Sequence, residues 1–342
     1  MNKSIINSIK FSVISLVLLA LLFLDLSTGH IKIPLSEILK YLCFSNEVSD
    51  QYFLLIKEFR VPRVFVAVFA GAALSVSGLA MQTIFRNPLA GPYVLGVSSG
   101  ASLGVALVVL GAETLFNSGN AILSNSIIVI AAAIGSAVVL LIILAVSMRV
   151  KDILSILIIG ILIAGVVSSI VSLLQFFAND INVKSFVVWT MGSLSAVSHD
   201  DIMLLFPVIA FGITMIYFLS KPLNLILPGE DFAVSLGVNV FLIRILIFIA
   251  VSLLAGAVTA FCGPLGFIGI AVPHVARWIF NTSNHFILIP ASIIIGGIFM
   301  LCGDLLTLSI SNHGVLPINA ITALLGAPFI VWIVFKNQRT IV

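Results

Sequence analysis

Side chains able to do acid–base, nucleophilic or metal chemistry are scarce in this 342-residue sequence, which holds 16 Lys and Arg, 13 Asp and Glu, five His and three Cys. Cys43, Cys262 and Cys302 stand far apart, with neither a Cys-x-x-Cys pair nor a Cys/His spacing suited to a metal, so they read as small apolar residues. His30, His199 and His313 fall in polar breaks between apolar runs, and single histidines there do not make a ligand set. His274 sits inside Pro273-His274-Val-Ala-Arg277, where a structural hydrogen bond is expected rather than ligation. No metal site is expected. There is no Gly-x-x-x-x-Gly-Lys-Ser/Thr loop to cradle phosphates, and Gly263, Gly266 and Gly269 lie in apolar surroundings with no strand before them, so no dinucleotide fingerprint is present either. The net charge of +3 is scattered, which argues against a nucleic-acid surface.

The elements that must position these few polar residues are membrane helices. Hydrophobic residues make up 61% of the chain and charged ones 8%, with a mean hydropathy of +1.28, far beyond what an aqueous fold hides. Apolar runs near 11–29, 64–85, 92–111, 121–147, 153–178, 202–219, 241–262, 264–280, 286–303 and 316–335 have about the length that crosses a hydrocarbon core. The expectation is an all-α polytopic membrane protein with about ten transmembrane helices, forming a single domain over residues 1–342. Residues 25–63 read as a long external loop. The half-apolar stretch from Asp180 to Asp201 reads as a short re-entrant or interfacial helix.

Lys and Arg favour the cytoplasmic side, and with the N-terminus inside every short inner connection receives its share, so both termini are expected to be cytoplasmic. Small residues recur at helical spacing: Ala67, Gly71, Ser75 and Gly78; Gly96, Gly100 and Gly104; Gly160, Ala164, Ser168 and Ser172. Such stripes are expected as packing seams, since lipid offers no hydrophobic drive for helix association. Ala70-Gly71-Ala72 with Gly78 recurs as Ala255-Gly256-Ala257 with Gly263, in spans of opposite orientation, which fits an inverted repeat. Charges are almost absent from span interiors: Arg244 lies near an inner helix end, Glu113 and Asp304 near outer ends. An ion-coupled carrier needs an ionisable group at mid-membrane, so energy is expected from a partner. Residues 221–239 break the pattern with Pro222, Pro228, Gly229, Glu230 and Asp231, yet carry Leu225, Ile226, Leu227, Phe232 and Leu236 on the cytoplasmic side, which calls for a covering protein.

Several motifs in fixed order then carry a resemblance: Arg60-Val-Pro-Arg63, Gly71-Ala-Ala-Leu74, Ser77-Gly78, Gln82, Asn87-Pro-Leu-Ala-Gly-Pro-Tyr-Val-Leu-Gly96, Trp189, Gly192-Ser193, Gly229-Glu230, Leu236-Gly237, Gly263-Pro-Leu-Gly-Phe-Ile-Gly269, Pro273-His274, Asp304, Leu316-Pro317 and Gly326-Ala-Pro-Phe329. Over residues 60–335 the chain resembles the ABC-importer permeases for iron-siderophores, haem and vitamin B12. That resemblance implies a homodimer in the bacterial cytoplasmic membrane, served by two cytoplasmic ATPase subunits and an external solute-binding protein. ATP would be used by the partner, with no cofactor and no enzymatic activity in this chain. By the same resemblance Arg60 and Arg63 dock the binding protein, Asn87 and Leu89 line the inner narrowing of the path, and Gly229, Glu230, Ala233, Leu236 and Gly237 belong to the ATPase-coupling segment. Gln82, Pro88, Pro273, His274 and Arg277 are structural motif positions. Leu308 and Val315 depart from the arginine and glutamate frequent in the family, which reduces or moves the docking footprint. The alternative is a secondary transporter or channel working alone.

Orientation is checked by cysteine labelling. A cysteine at Lys151 or Lys336 should react only with a membrane-permeant thiol reagent, and one at Asn46 with an impermeant one.

Overall fold

The computed structural model describes residues 3–29, 31–43, 48–111, 125–150, 152–310 and 316–338. His30, Asn46, Glu113, Lys151, His313 and Val315 lie outside them. Among the described residues the chain is helical with no strand, running through α1 (Lys3–Ser27), α2 (Leu35–Leu42), α3 (Asp50–Ile84), α4 (Val97–Val109), α5 (Asn125–Arg149), α6 (Ile153–Phe177) and α7 (Asp180–Thr190). It continues through α8 (His199–Phe218), α9 (Ser220–Ile226), α10 (Glu230–Ser235), α11 (Val240–Cys262), α12 (Ile268–Phe280), α13 (His285–Ile310) and α14 (Ile318–Gln338). Seven of these, α1, α3, α5, α6, α8, α11 and α13, are long and apolar enough to cross a membrane; α4, α12 and α14 are shorter apolar helices.

The helix starts follow local chemistry. Asp152 accepts the Leu154 and Ser155 N–H groups ahead of α6, Asn179 accepts that of Asn182 ahead of α7, and Asn239 that of Leu242 ahead of α11. Ser198 and Asp201 close a capping box at the head of α8. The short helices are short for a reason. A 3-10 turn, Pro92–Leu95, and the left-handed Gly96 (φ 74°) occupy the first part of the run expected at 92–111, leaving α4 to begin at Val97. Gly263 (φ 76°) and Phe267 (φ 68°) break the run expected at 264–280, so α12 begins at Ile268.

From Pro62 to Ile84 α3 is buried almost throughout and forms the axis of the bundle, flanked by α13, α12 and α11. A Cβ on Gly71 would run into the carbonyl of Gly296 in α13, and one on Gly296 into that of Gly71. Ser75 bridges the same two helices by donating to Ser292 O at 2.7 Å. Gly78 meets the backbone of Gly269 in α12 just as closely. Gly100 and Gly104 of α4 repeat the arrangement against Gly135 and Ala131 of α5. These stripes are packing seams. Gly160 of α6 joins them, since a Cβ there would run into Val94 O, but Ser168 and Ser172 are exposed in this chain and belong to no seam within it. In the repeated Ala-Gly-Ala segments, Gly71 of α3 abuts α13, while Gly256 of α11 faces Ser136 of α5, whose Oγ would crowd a Cβ there. Spans two and seven thus face spans nine and four, the reciprocal pairing that an inverted repeat requires. The outer faces of α1, α5, α6 and α8 are exposed and apolar, as lipid or a partner helix demands.

The segment 25–63, expected as a loop, is largely helical. α1 continues to Ser27, α2 packs Ile38 inward, and α3 starts at Asp50 rather than 64. The physical reason is that Lys57, Glu58 and Arg60 are good helix formers and Lys57 and Glu58 keep their charges at the surface, so the chain stays helical through a π-helical stretch, Leu55–Arg60. The stretch near 180–201 does contain a short helix, α7, with Phe186 buried.

Seam packing carries a sharp expectation. Gly78→Ala places a methyl group against the Gly269 backbone and should lower stability by about 1–3 kcal/mol in detergent thermal unfolding, whereas Gly165→Ala, with nothing nearby, should leave it unchanged.

Candidate functional site: two ends of one bundle

At the end expected to be external, Arg60 closes the π-helical stretch and Arg63 lies at the start of the long apolar part of α3. Arg60 turns back over the end of α1, donating to Thr28 O and to Ile31 O, the latter at 3.1 Å. The guanidinium passes across Gly29 (φ 151°), where any side chain would collide with it. Arg63 turns inward. Its Nε and Nη2 hold the two Asp304 oxygens at 2.7 and 2.6 Å, Nη2 also reaches Thr307 at 3.2 Å, and Nη1 donates to Ser195 Oγ at 2.9 Å. Asp304 and Thr307 are each 1% exposed. The pairing is bidentate and charge-assisted, and it joins α3, α13 and the α7–α8 linker. Arg63, which the resemblance implies as a docking residue, is thus buried in this pair rather than open at the surface. Two of its five donors are held by a carboxylate that could not be buried alone, and two more by Thr307 and Ser195. A cavity of about 250 Å³ opens beside the pair, lined also by Met191, Ser193, Leu316 and Pro317.

Asp25 of α1 escaped the sequence reading. Its carboxyl is 1% exposed and finds no hydrogen-bond partner among the described residues, close to Arg60, Arg63 and Asp304. The available signal was a lone acid inside an apolar run, Leu24-Asp25-Leu26, which by its rarity in such runs marks a special position.

At the inner end, the sequence-expected residues do converge. α3 ends at Ile84, Arg86 takes the left-handed conformation (φ 48°), and the chain turns through Asn87, Pro88 and Leu89. Asn87 Oδ1 accepts the Leu89 N–H at 2.9 Å, and Leu89 is exposed. α12 holds this turn from one side. Arg277 donates to Gln82 Oε1 at 2.7 Å, Gln82 donates to Ile270 O at 3.2 Å, and His274 Nε2 lies 2.8 Å from Pro88 O. Gln82, Pro88, His274 and Arg277 thus form one hydrogen-bonded unit, and Pro273 is buried within α12. His274 has the structural hydrogen bond expected of it. The broken backbone between α11 and α12 is satisfied in the same manner: Ser193 N–H donates to Cys262 O at 2.9 Å, Gly266 N–H to Asn319 Oδ1 at 3.0 Å, and Asn319 N–H to Met191 O at 3.2 Å.

The 221–239 segment folds into α9 and α10. α9 buries Leu223 and Ile226 against the bundle. Glu230 and Ala233, expected as partner contacts, point inward instead: Glu230 accepts from Arg244 at 3.0 and 3.2 Å, and Ala233 is fully buried. An arginine that had been expected to snorkel is buried in α11 by this pair. Leu227, Phe232, Val234 and Leu236 are exposed, and Gly229 (φ 147°) and Gly237 (φ 82°), with open space around both, bracket the last three.

The broken-helix bundle is shared with known proteins. Residues 17–336 match the FecCD transport family. The chain belongs to that family. Among relatives of this FecCD chain, the "Probable iron chelatin transport system permease protein" of Helicobacter pylori is 34% identical over 294 residues, covering 86% of each chain. The "Vitamin B12 import system permease protein BtuC" of Klebsiella pneumoniae is 30% identical over 328 residues, covering 95% of this chain and 93% of that one. A solved metal-chelate type ABC transporter in an inward-facing conformation superposes with a TM-score of 0.82 at 27% identity, over 97% of this chain and 99% of that one. The fold is that of an ABC permease, and the chain is a transport subunit.

The two arginines should separate on mutation. Arg63→Ala strands Asp304 in the bundle and should cost about 3–5 kcal/mol in thermal unfolding, whereas Arg60→Ala, which removes only carbonyl contacts near the surface, should cost less than half of that.

Proposed function

We propose that this chain is the membrane-spanning permease of an ABC importer for an iron chelate or cobalamin in the bacterial cytoplasmic membrane. Two copies form the path, two cytoplasmic ATPases hydrolyse ATP, and an external binding protein delivers the solute; this chain holds no cofactor and both its termini are cytoplasmic. The exposed apolar face of α10 carries this reading. Leu227, Phe232, Val234 and Leu236 stand out from a segment whose other side is anchored by Leu223, Ile226, Ala233 and the Glu230–Arg244 pair. Such a projection at a membrane boundary, set between two left-handed glycines, suits insertion into a protein groove better than contact with water. Substrate class follows from the relatives, which are named for iron chelatin and vitamin B12. On the outer side, Arg60 is the arginine whose surroundings suit a carboxylate on the binding protein, since Arg63 is committed to Asp304. Asn87 and Leu89, at the exposed inner turn, are proposed to narrow the path.

Leu236→Asp tests the reading by placing a carboxylate in the contact. Desolvating it costs at least a few kcal/mol, so affinity for the ATPase should fall by roughly a hundredfold while membrane insertion is unchanged. Co-purification of the variant with its ATPase at wild-type yield, or transport by the chain alone in liposomes, would defeat the reading.

A further inference from the structure

One buried polar chain is absorbed by none of the roles above. Asn224 is the side chain of α9 that reaches polar groups of the bundle among the described residues. Its Oδ1 accepts the backbone N–H of His285 at 2.9 Å and lies 2.7 Å from the His285 ring Nδ1, while its Nδ2 donates to Asn284 Oδ1 at 2.9 Å. The backbone donor fixes Oδ1 as acceptor, so Nδ1 must carry the ring proton, and in the neutral ring Nε2 is then an acceptor. Facing Nε2 at 2.8 Å is the hydroxyl of Thr83, which therefore donates to it rather than to Leu79 O at 3.0 Å. Both Thr83 and His285 are nearly fully buried. The donors run in one direction: Thr83 O–H to His285 Nε2, then His285 Nδ1–H to Asn224 Oδ1.

The two ends of this chain matter. Asn224 belongs to the helix that supports the exposed coupling face of α10. Thr83 is next to the last residue of α3, its carbonyl accepts the N–H of Arg86, and its neighbour Gln82 accepts the N–H of Asn87. The turn bearing Asn87 and Leu89 is thus gripped from the α12 side by Arg277 and His274, and from the α13 side by His285.

We propose that His285 is the positioning residue that passes displacement of the coupling helix to the inner turn, through Asn224 on one side and Thr83 on the other. The idea rests on the reading of 221–239 as the ATPase-coupling segment. When α9 shifts, the ring must follow Asn224 or lose two bonds. Because the ring is buried, Thr83 then has to move with it or leave Nε2 unpaired.

The test uses the assembled transporter in inside-out vesicles and needs no identified solute. A cysteine in place of Val234 is cross-linked to the ATPase, and the rate at which an impermeant thiol reagent labels Leu89→Cys is compared with and without ATP and vanadate. The parent should cross-link, and its labelling rate should change with nucleotide. Thr83→Val keeps the shape and removes the hydroxyl. It should keep the cross-link and ATP hydrolysis but reduce the nucleotide-dependent change roughly tenfold, the weight of one hydrogen bond in a two-state balance. Thr83→Ser should restore it. If Thr83→Val does not accumulate in the membrane, Asn224→Ala breaks the same path from its less buried end and must give the same loss. An undiminished labelling change in either variant with the cross-link intact overturns the relay and leaves the coupling reading standing. Absence of the cross-link in the parent overturns the coupling reading, and the relay with it.

Discussion

Everything in this bundle hangs on backbone-to-backbone contact along α3. In lipid, helices gain nothing from hiding apolar surface from one another, so they associate through close packing and hydrogen bonds. Gly71 against Gly296, Gly78 against Gly269 and Ser75 reaching the Ser292 carbonyl bring three helices to the shortest separation a polypeptide allows. With that distance set, Arg63 falls within reach of Asp304 at one end, and Thr83 within reach of His285 at the other. A wider spacing would leave each of these groups buried without a partner, at a cost of several kcal/mol apiece.

The two ends use buried polarity differently. The outer end holds full charges: a bidentate arginine–aspartate pair with Asp25 nearby. The inner end buries an ion pair as well, Glu230–Arg244, but seats its turn on neutral groups and Arg277, in short bonds that each span two helices or a helix and a turn. Neutral links cost less to break and remake than a buried ion pair, so that turn is more readily rearranged than the Arg63–Asp304 contact.

Much of this was legible from residue types. Apolar runs located the spans because hydrocarbon thickness imposes a length, and glycines four apart located the seams because only they allow contact at that distance. The inner unit of Gln82, His274 and Arg277 was foreseen as structural, although not its pairings. What escaped depended on which way a side chain turns. Arg60 and Arg63 share spacing and chemistry, yet one lies over Thr28 and the other is buried on Asp304, 241 residues away. Glu230 and Arg244, read separately as a helix-start acid and a snorkelling base, turned out to be partners. No local pattern announces such a pair, because its energy depends on tertiary distance. The helical character of 25–63 was missed for a related reason: charged residues look like a loop, although Lys, Glu and Arg are good helix formers, and the helix widens through Leu55–Arg60 rather than ending there.

That widening has a consequence for chain length. A π-helical turn contains one residue more than the α-helical turn it replaces, so Leu55–Arg60 is physically an insertion. Residues before it are rotated by about 100° relative to where an uninterrupted α3 would carry them, while everything after it keeps its register with the bundle. Changes in the outer segment, in length or in composition, can therefore re-aim Arg60 and α2 around the mouth without disturbing a single glycine contact below. The mouth of this chain can change shape while its axis cannot.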